Sequence, residues 1–397
     1  MDFINQLKSD MKQLTPELIH HFQWLHEHPE VSFQEFLTTS YIKKELKKLG
    51  IELLPLDSPV GVVGLLKGRN SGPCVALRAD IDALPIAEES RQFCHSSTPN
   101  VSHACGHDSH ITCLLGAAKL LSLHREQLCG SVKFIFQPAE EGAGGAQYFV
   151  QKGCMEHPKV DAIFGLHNAP TVTHDILGLK TGGIMAAVHK FHITLTGLGG
   201  HGAIPESNVD AIVAASAIIQ SLQTIVSRNV PPTQSAVVSV CSIHAGDGLT
   251  FNVNPETVEL AGTCRCYSSE MEDLVEQRFR SIVTSTAAAY QVTPTIEYIR
   301  LHKAVINDES LYNIAVQAAD SLSIPYVEPI PSTAGDDFST FSDYAPSYFF
   351  WLGNHNEEKD CIYPLHSPKF KIDTHILSYG AGIYAMAAYL YLKQQEN

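Results

Sequence analysis

From Val188 to Leu195 the chain alternates strictly: Val188, Lys190, His192 and Thr194 lie on one side, His189, Phe191, Ile193 and Leu195 on the other. A period of two marks a strand with one face against a core. A long apolar helical stretch (Ala211–Ile225) follows, then strands near Ala236–Ile243 and Thr257–Arg265. A second helix (Met271–Tyr290) and a strand (Thr293–Tyr298) complete the order β-α-β-β-α-β. Few folds use that order, and the segment reads as a small ferredoxin-like α+β domain.

The flanking sequence has a different rhythm. Short apolar runs at Val62–Leu66, Cys74–Leu77, Val132–Phe136 and Ala162–Leu166 read as buried strands, with a helix at Ile111–Leu123 between two of them. This is the pattern of an α/β sheet with helices on its faces. Upstream, Thr15-Pro16 reads as an N-cap and first helical position, and Ser32 with Glu35 as a capping box. After Arg300 the α/β character returns and ends in an apolar helix near Tyr379–Leu392. A chain of 397 residues exceeds what one core usually carries. The expected organisation is an α/β catalytic domain over 1–183 and 298–397, interrupted by a second domain over 184–297.

Lys and Arg total 27 against 42 Asp and Glu, a formal charge of −15, which argues against a nucleic-acid partner. No uninterrupted run of about 18 apolar residues suggests a membrane span. The N-terminus is too polar for a secretory signal. Ten dispersed cysteines without a small-domain spacing pattern then read as reduced thiols of a cytoplasmic protein. The surplus of 20 histidines is the remaining oddity.

Those histidines cluster at His103-Ala104-Cys105-Gly106-His107-Asp108-Ser109-His110. Gly106 permits a tight turn that lets the Cys105 thiolate and His107 imidazole face one divalent metal. Glu140-Glu141 follow the run Val132–Phe136; adjacent carboxylates diverge, so one can ligate while the other faces substrate. Asp80 and Asp82, beyond Cys74–Leu77, could ligate or could orient a metal-bound histidine. His167 and His366 complete the set. In open α/β sheets ligand sites lie beyond the carboxyl ends of strands, so these groups should converge. Cys105, His107, Glu141, His167 and His366 exceed the needs of one tetrahedral zinc and suit two ions with shared ligands.

The segments Arg78–Pro85, His103–His110, Pro138–Gly142, Gly165–Asn168 and Pro364–Pro368, in that order, resemble the N-acyl-amino-acid amidohydrolases. These include hippurate hydrolases, aminoacylases and hydrolases of indole-acetic-acid conjugates, within the two-metal aminoacylase and carboxypeptidase superfamily of zinc peptidases. The resemblance implies a metallopeptidase-type catalytic domain with a mixed sheet and flanking helices, and an insert that acts as lid and dimerisation domain. It implies one or two divalent ions per subunit (Zn, Mn, Ni or Co) on Cys105, His107, Glu141, His167 and His366.

By the same resemblance, Glu140 matches the general base and later proton donor, and Asp82 the acid that orients the metal centre. His201, in Gly199–Ala203, matches the residue that stabilises the oxyanion, and Asn252 and Arg265 match positions for the substrate's carboxylate or carbonyl. The implied reaction is hydrolysis of an N-acyl or N-aroyl amino acid by a homodimer or higher homo-oligomer; a dipeptidase or carboxypeptidase, and a non-catalytic conjugate-binding module, are the alternatives. Three positions depart from the family pattern: Pro205-Glu206 replaces a Pro-His pair, Asp336-Asp337-Phe338 replaces Glu-Asp-Phe, and Thr374 replaces an acidic residue. None removes a ligand or the base.

Overall fold

The computed structural model describes residues 3–395, which divide into two compact units. The first takes in the chain up to Gly182, Ile306–Ile330 and the stretch from Asp337 on. Its eight-stranded mixed sheet runs in the order Glu52–Leu53, Val62–Lys67, Cys129–Gln137, Asn70–Asp80, Ala162–Thr173, Ser347–His355, Leu177–Gly178, Tyr326–Val327. The four central strands, Cys129–Gln137 to Ser347–His355, are mutually parallel. Alternation sorts their side chains. Val75, Leu77, Val132, Phe134, Phe164 and Phe350 enter a large core with helices Phe3–Glu27, His107–Leu123, Glu309–Leu322 and Ile376–Gln394. The intervening Arg78 and Lys133 are nonetheless fully buried.

Two N-terminal expectations are corrected. The first helix does not start at Pro16 but runs through it. A proline inside a helix costs about 3 kcal/mol. Here Phe3, Leu7, Met11, Leu14, Leu18, Phe22 and Leu25 form one buried stripe that would be split by a break. Nor do Ser32 and Glu35 form a capping box. Glu30 caps the Phe36–Lys48 helix, accepting from the N–H groups of Leu37 (3.0 Å) and Thr38 (2.8 Å), while Glu35 makes no side-chain cap.

The second unit comprises Gly183–Val305 and Pro331–Asp336. Its antiparallel sheet has the order Ala236–Ala245, Thr257–Cys266, Ala187–Thr196, Thr293–His302. With helices Ala211–Thr224 and Ser269–Ala289 covering one face, this is the ferredoxin-like arrangement. The last strand continues past Tyr298, and Pro331–Asp336 joins this unit because Ala186 N–H donates to the Ser332 and Ala334 carbonyls. By length and composition alone Ala211–Asn229 could cross a membrane. Its Ala211, Ala214, Ala215, Ile218 and Leu222 instead pack into the core of the unit.

Candidate active site

The first unit brings a dense set of donors together. Gly106 adopts φ +83°, and a Cβ there would lie 2.3 Å from Asn168 Nδ2, so only glycine fits the turn that starts the His107–Leu123 helix. That turn sets Cys105 Sγ 3.5 Å from His167 Nε2. His107 directs Nδ1 to the Asp82 carbonyl oxygen (2.9 Å), which leaves its buried Nε2 without a hydrogen-bond partner among the described residues. Glu141 Oε1 is likewise buried and without a hydrogen bond, and lies 3.9 Å from His107 Nε2 and 3.2 Å from His366 Nε2. Donor atoms of Cys105, His107 and His167 fall within 4.8 Å of one another, and so do those of Cys105, Glu141 and His366. A thiolate, imidazoles and a carboxylate around orphaned donor atoms fit a divalent transition-metal ion, and Cys105 is common to both groups.

The Glu140-Glu141 turn is held by its backbone. Asp82 Oδ1 accepts the Glu140 N–H (3.1 Å) and Oδ2 the Glu141 N–H (3.0 Å), while Ser32 donates to Oδ2 at 2.6 Å. Asp337 N–H reaches Glu140 Oε1 at 3.4 Å, and Asp337 Oδ2 accepts from Ala146 N–H at 2.8 Å. Beneath lies Arg78, bonded to Gln137 (2.8 Å), Asp80 (2.7 Å) and Asp337 (3.0 Å). Asp80 in turn accepts from His110 Nδ1 (2.6 Å), and His110 Nε2 accepts from Asn168 N–H (3.0 Å). Burial opposes ionisation of Asp80, but His107, His110 and Arg78 hold its carboxyl well below the usual range.

A model of Peptidase family M20/M25/M40 matches residues 76–390. The chain belongs to this family. It is 39% identical to N-acetyl-L-cysteine deacetylase of Bacillus subtilis (strain 168), over 98% of this chain and 91% of that one. It is 36% identical to thermostable carboxypeptidase 2 of Saccharolobus solfataricus, over 98% of both chains. The crystal structure of a dinuclear metal binding peptidase of the M20 family from Bacillus subtilis superposes with a TM-score of 0.86 at 35% identity, covering 96% of this chain and 99% of that one. This M20 protein is thus a metal-dependent amidohydrolase with a mixed α/β fold.

Of the residues singled out in the M20 sequence, Asp80, Asp82, Cys105, His107, Glu140, Glu141, His167 and His366 come together in the first unit. His167 is not just past its strand but inside it, opposite Trp351, because the strand continues to Thr173. The second unit carries the other three. His201 is exposed on the short strand Gly200–His201, and the next residue, Gly202, donates its N–H to the Asn252 carbonyl (2.8 Å). Arg265 lies elsewhere in this unit, with Nε on the Thr333 carbonyl (3.2 Å) and Nη1 on Thr263 Oγ1. Ser32, Glu35, Arg78, His110, Asn168 and Asp337 brace the site without having been assigned a role from sequence. Arg78, His110, Asn168 and Asp337 sat inside segments that matched or were compared with the family pattern, whereas Ser32 and Glu35 did not.

His26 braces the same helix from outside, with Nδ1 2.7 Å from Asp108 and Nε2 3.0 Å from Glu88. Burial lowers its pKa, but the hydrogen bonds to Asp108 and Glu88 outweigh that and raise it from 6.5 to about 9. The folded protein therefore keeps a proton that the unfolded chain releases. The resulting stability is complete below pH 6.5 and is lost as the pH rises through 9. Between those values wild-type stability should fall faster than that of His26→Gln, by up to about 1.4 kcal/mol per pH unit. Urea denaturation of both proteins across the range checks this, and parallel curves would refute it.

Proposed function

We propose that this M20 enzyme hydrolyses the amide bond of N-acyl or N-aroyl amino acids, releasing a carboxylic acid and a free amino acid. The observation that carries the reading is the glutamate pair on the Asp82-anchored turn: carboxylate oxygens of Glu140 and Glu141 lie within 4.8 Å of each other and of a His107 ring nitrogen, Glu141 also groups with Cys105 and His366, and Glu140 accepts from Asp337 N–H. Similarity to a deacetylase of N-acetyl-L-cysteine supports the acyl substrate.

In this proposal Cys105, His107, Glu141, His167 and His366 would hold one or two divalent ions (Zn, Mn, Ni or Co). When bound, the metal polarises the amide carbonyl and acidifies water near neutral pH. Asp82 fixes the His107 ring through its carbonyl oxygen and the glutamate turn through its carboxylate. Glu140 takes a proton from the attacking water and returns it to the departing amine nitrogen. His201 donates to the carbonyl oxygen as negative charge develops there. Asn252 and Arg265 receive the free carboxylate, for which the planar guanidinium is suited; among the described residues no carboxylate pairs with Arg265.

The first unit is assigned as the catalytic domain and the second as lid and dimerisation domain, with the second running to Val305 and taking in Pro331–Asp336 rather than ending at 297. The edge strand Ala236–Ala245, with Val237 and Ile243 exposed, supports pairing with a second copy. Ten free cysteines support a reducing, cytoplasmic setting. Likeness to a carboxypeptidase favours a second reading, cleavage of peptides at a free carboxyl end. Parallel assays on N-acetyl and N-benzoyl amino acids and on dipeptides separate the two. The acylated substrates should win by about tenfold or more in kcat/KM (~1.4 kcal/mol), and a chelator should abolish turnover until Mn or Zn is restored. Preference for dipeptides would replace the first reading with the second.

A further inference from the structure

Glu35 is fully buried, and its carboxylate Oε1 accepts the N–H of Ala139 at 2.8 Å across 104 residues of sequence. Ala139 is also fully buried and takes φ +57°, a left-handed conformation that costs a residue with a Cβ about 1–2 kcal/mol. This turn lies at the end of strand Cys129–Gln137, immediately before Glu140 and Glu141. Glu35 takes the Ala139 N–H, and Asp82 takes the next two. Two carboxylates from distant parts of the chain therefore grip three consecutive peptide groups. Burial, with the Asp82 charge adding to it, raises the pKa of Glu35 to about 7, and its neutral form still offers an oxygen to Ala139.

We infer that Glu35 is a positioning residue for the reaction: it locks the left-handed turn at Ala139 that carries Glu140 and Glu141. The inference rests on the reading of Glu140 as base and Glu141 as ligand. Glu35→Ala should lower kcat about 10- to 100-fold and weaken Mn binding to a similar extent, as loss of a supporting hydrogen bond to a ligand does. With Mn saturating, KM should stay within about twofold, since Glu35 acts on the glutamate turn through Ala139. Glu35→Gln keeps the acceptor and should restore both quantities to within about threefold, a difference of ~0.7 kcal/mol. Adding Ala139→Gly to Glu35→Ala should recover much of the loss, because glycine takes positive φ without a clamp.

Glu35→Asp keeps the carboxyl group but withdraws the acceptor by one methylene, and serves if the alanine variant does not fold. Unchanged kcat and Mn affinity in whichever of the two folds would overturn the inference, as would Glu35→Gln being equally damaging. Manganese titration of the metal-free protein needs no substrate. A wild type inactive on every N-acyl amino acid would thus count against the proposed reaction while leaving the clamp measurable.

Discussion

Glu140→Gln should cut kcat by on the order of 10³- to 10⁴-fold, at the upper end of what a lost general acid–base contributes. The substitution is close to isosteric. The Glu140 backbone N–H still reaches Asp82 Oδ1, and a glutamine oxygen can still accept from Asp337 N–H. What disappears is the ability to take a proton and return it. Metal content should stay at the wild-type level, because Cys105, His107, Glu141, His167 and His366 are untouched. Glu141→Gln is the contrasting variant: it alters a donor atom 3.2 Å from His366 Nε2 and should lose metal together with activity. Kinetics and elemental analysis on the same preparations separate the two roles. Turnover of Glu140→Gln within about tenfold of wild type would sink the assignment, since ~1.4 kcal/mol is far less than a base contributes.

The contrast between adjacent glutamates also marks what could be read from the sequence. Strand alternation at Val188–Leu195 and ligand-type density at His103–His110 are local signals, and both survive in the structure. The second unit was legible because each of its elements carries its own periodicity. Long-range hydrogen bonds leave no such trace. Arg78 meets Asp337 across 259 residues, and Ser32 meets Asp82 across 50. Where a local rule competed with such a contact, the contact prevailed. Ser32 and Glu35 have the spacing of a capping box, yet both side chains turn to the glutamate turn and its anchor. Thr15-Pro16 has the look of a helix start, yet the buried stripe from Phe3 to Leu25 carries the helix through it. A capping preference of about 1 kcal/mol, and even the ~3 kcal/mol cost of an interior proline, lose to the burial of several large apolar side chains.

Arg78 carries the largest expected loss of stability. Arg78→Met should destabilise the protein by about 3–5 kcal/mol, because removing one partner of a buried ion pair leaves the other uncompensated. The guanidinium is fully buried and bridges Asp80, Asp337 and Gln137. Methionine fills much of the volume but satisfies neither carboxylate. Asp80 would keep His110, and Asp337 would keep Gln137 and the Ala146 N–H, so the charges would be only partly compensated. Neutralising one of them should therefore recover stability. In urea denaturation Arg78→Met/Asp337→Asn should be less destabilised than the sum of the single variants by at least about 1 kcal/mol. Additivity to within ~0.5 kcal/mol would mean that the pair is not coupled. The rate should fall with stability in Arg78→Met, since Asp337 also presents its N–H to Glu140 and anchors the chain beyond the glutamate turn. A variant that lost stability but kept full kcat would show that this anchoring does not reach the reacting groups.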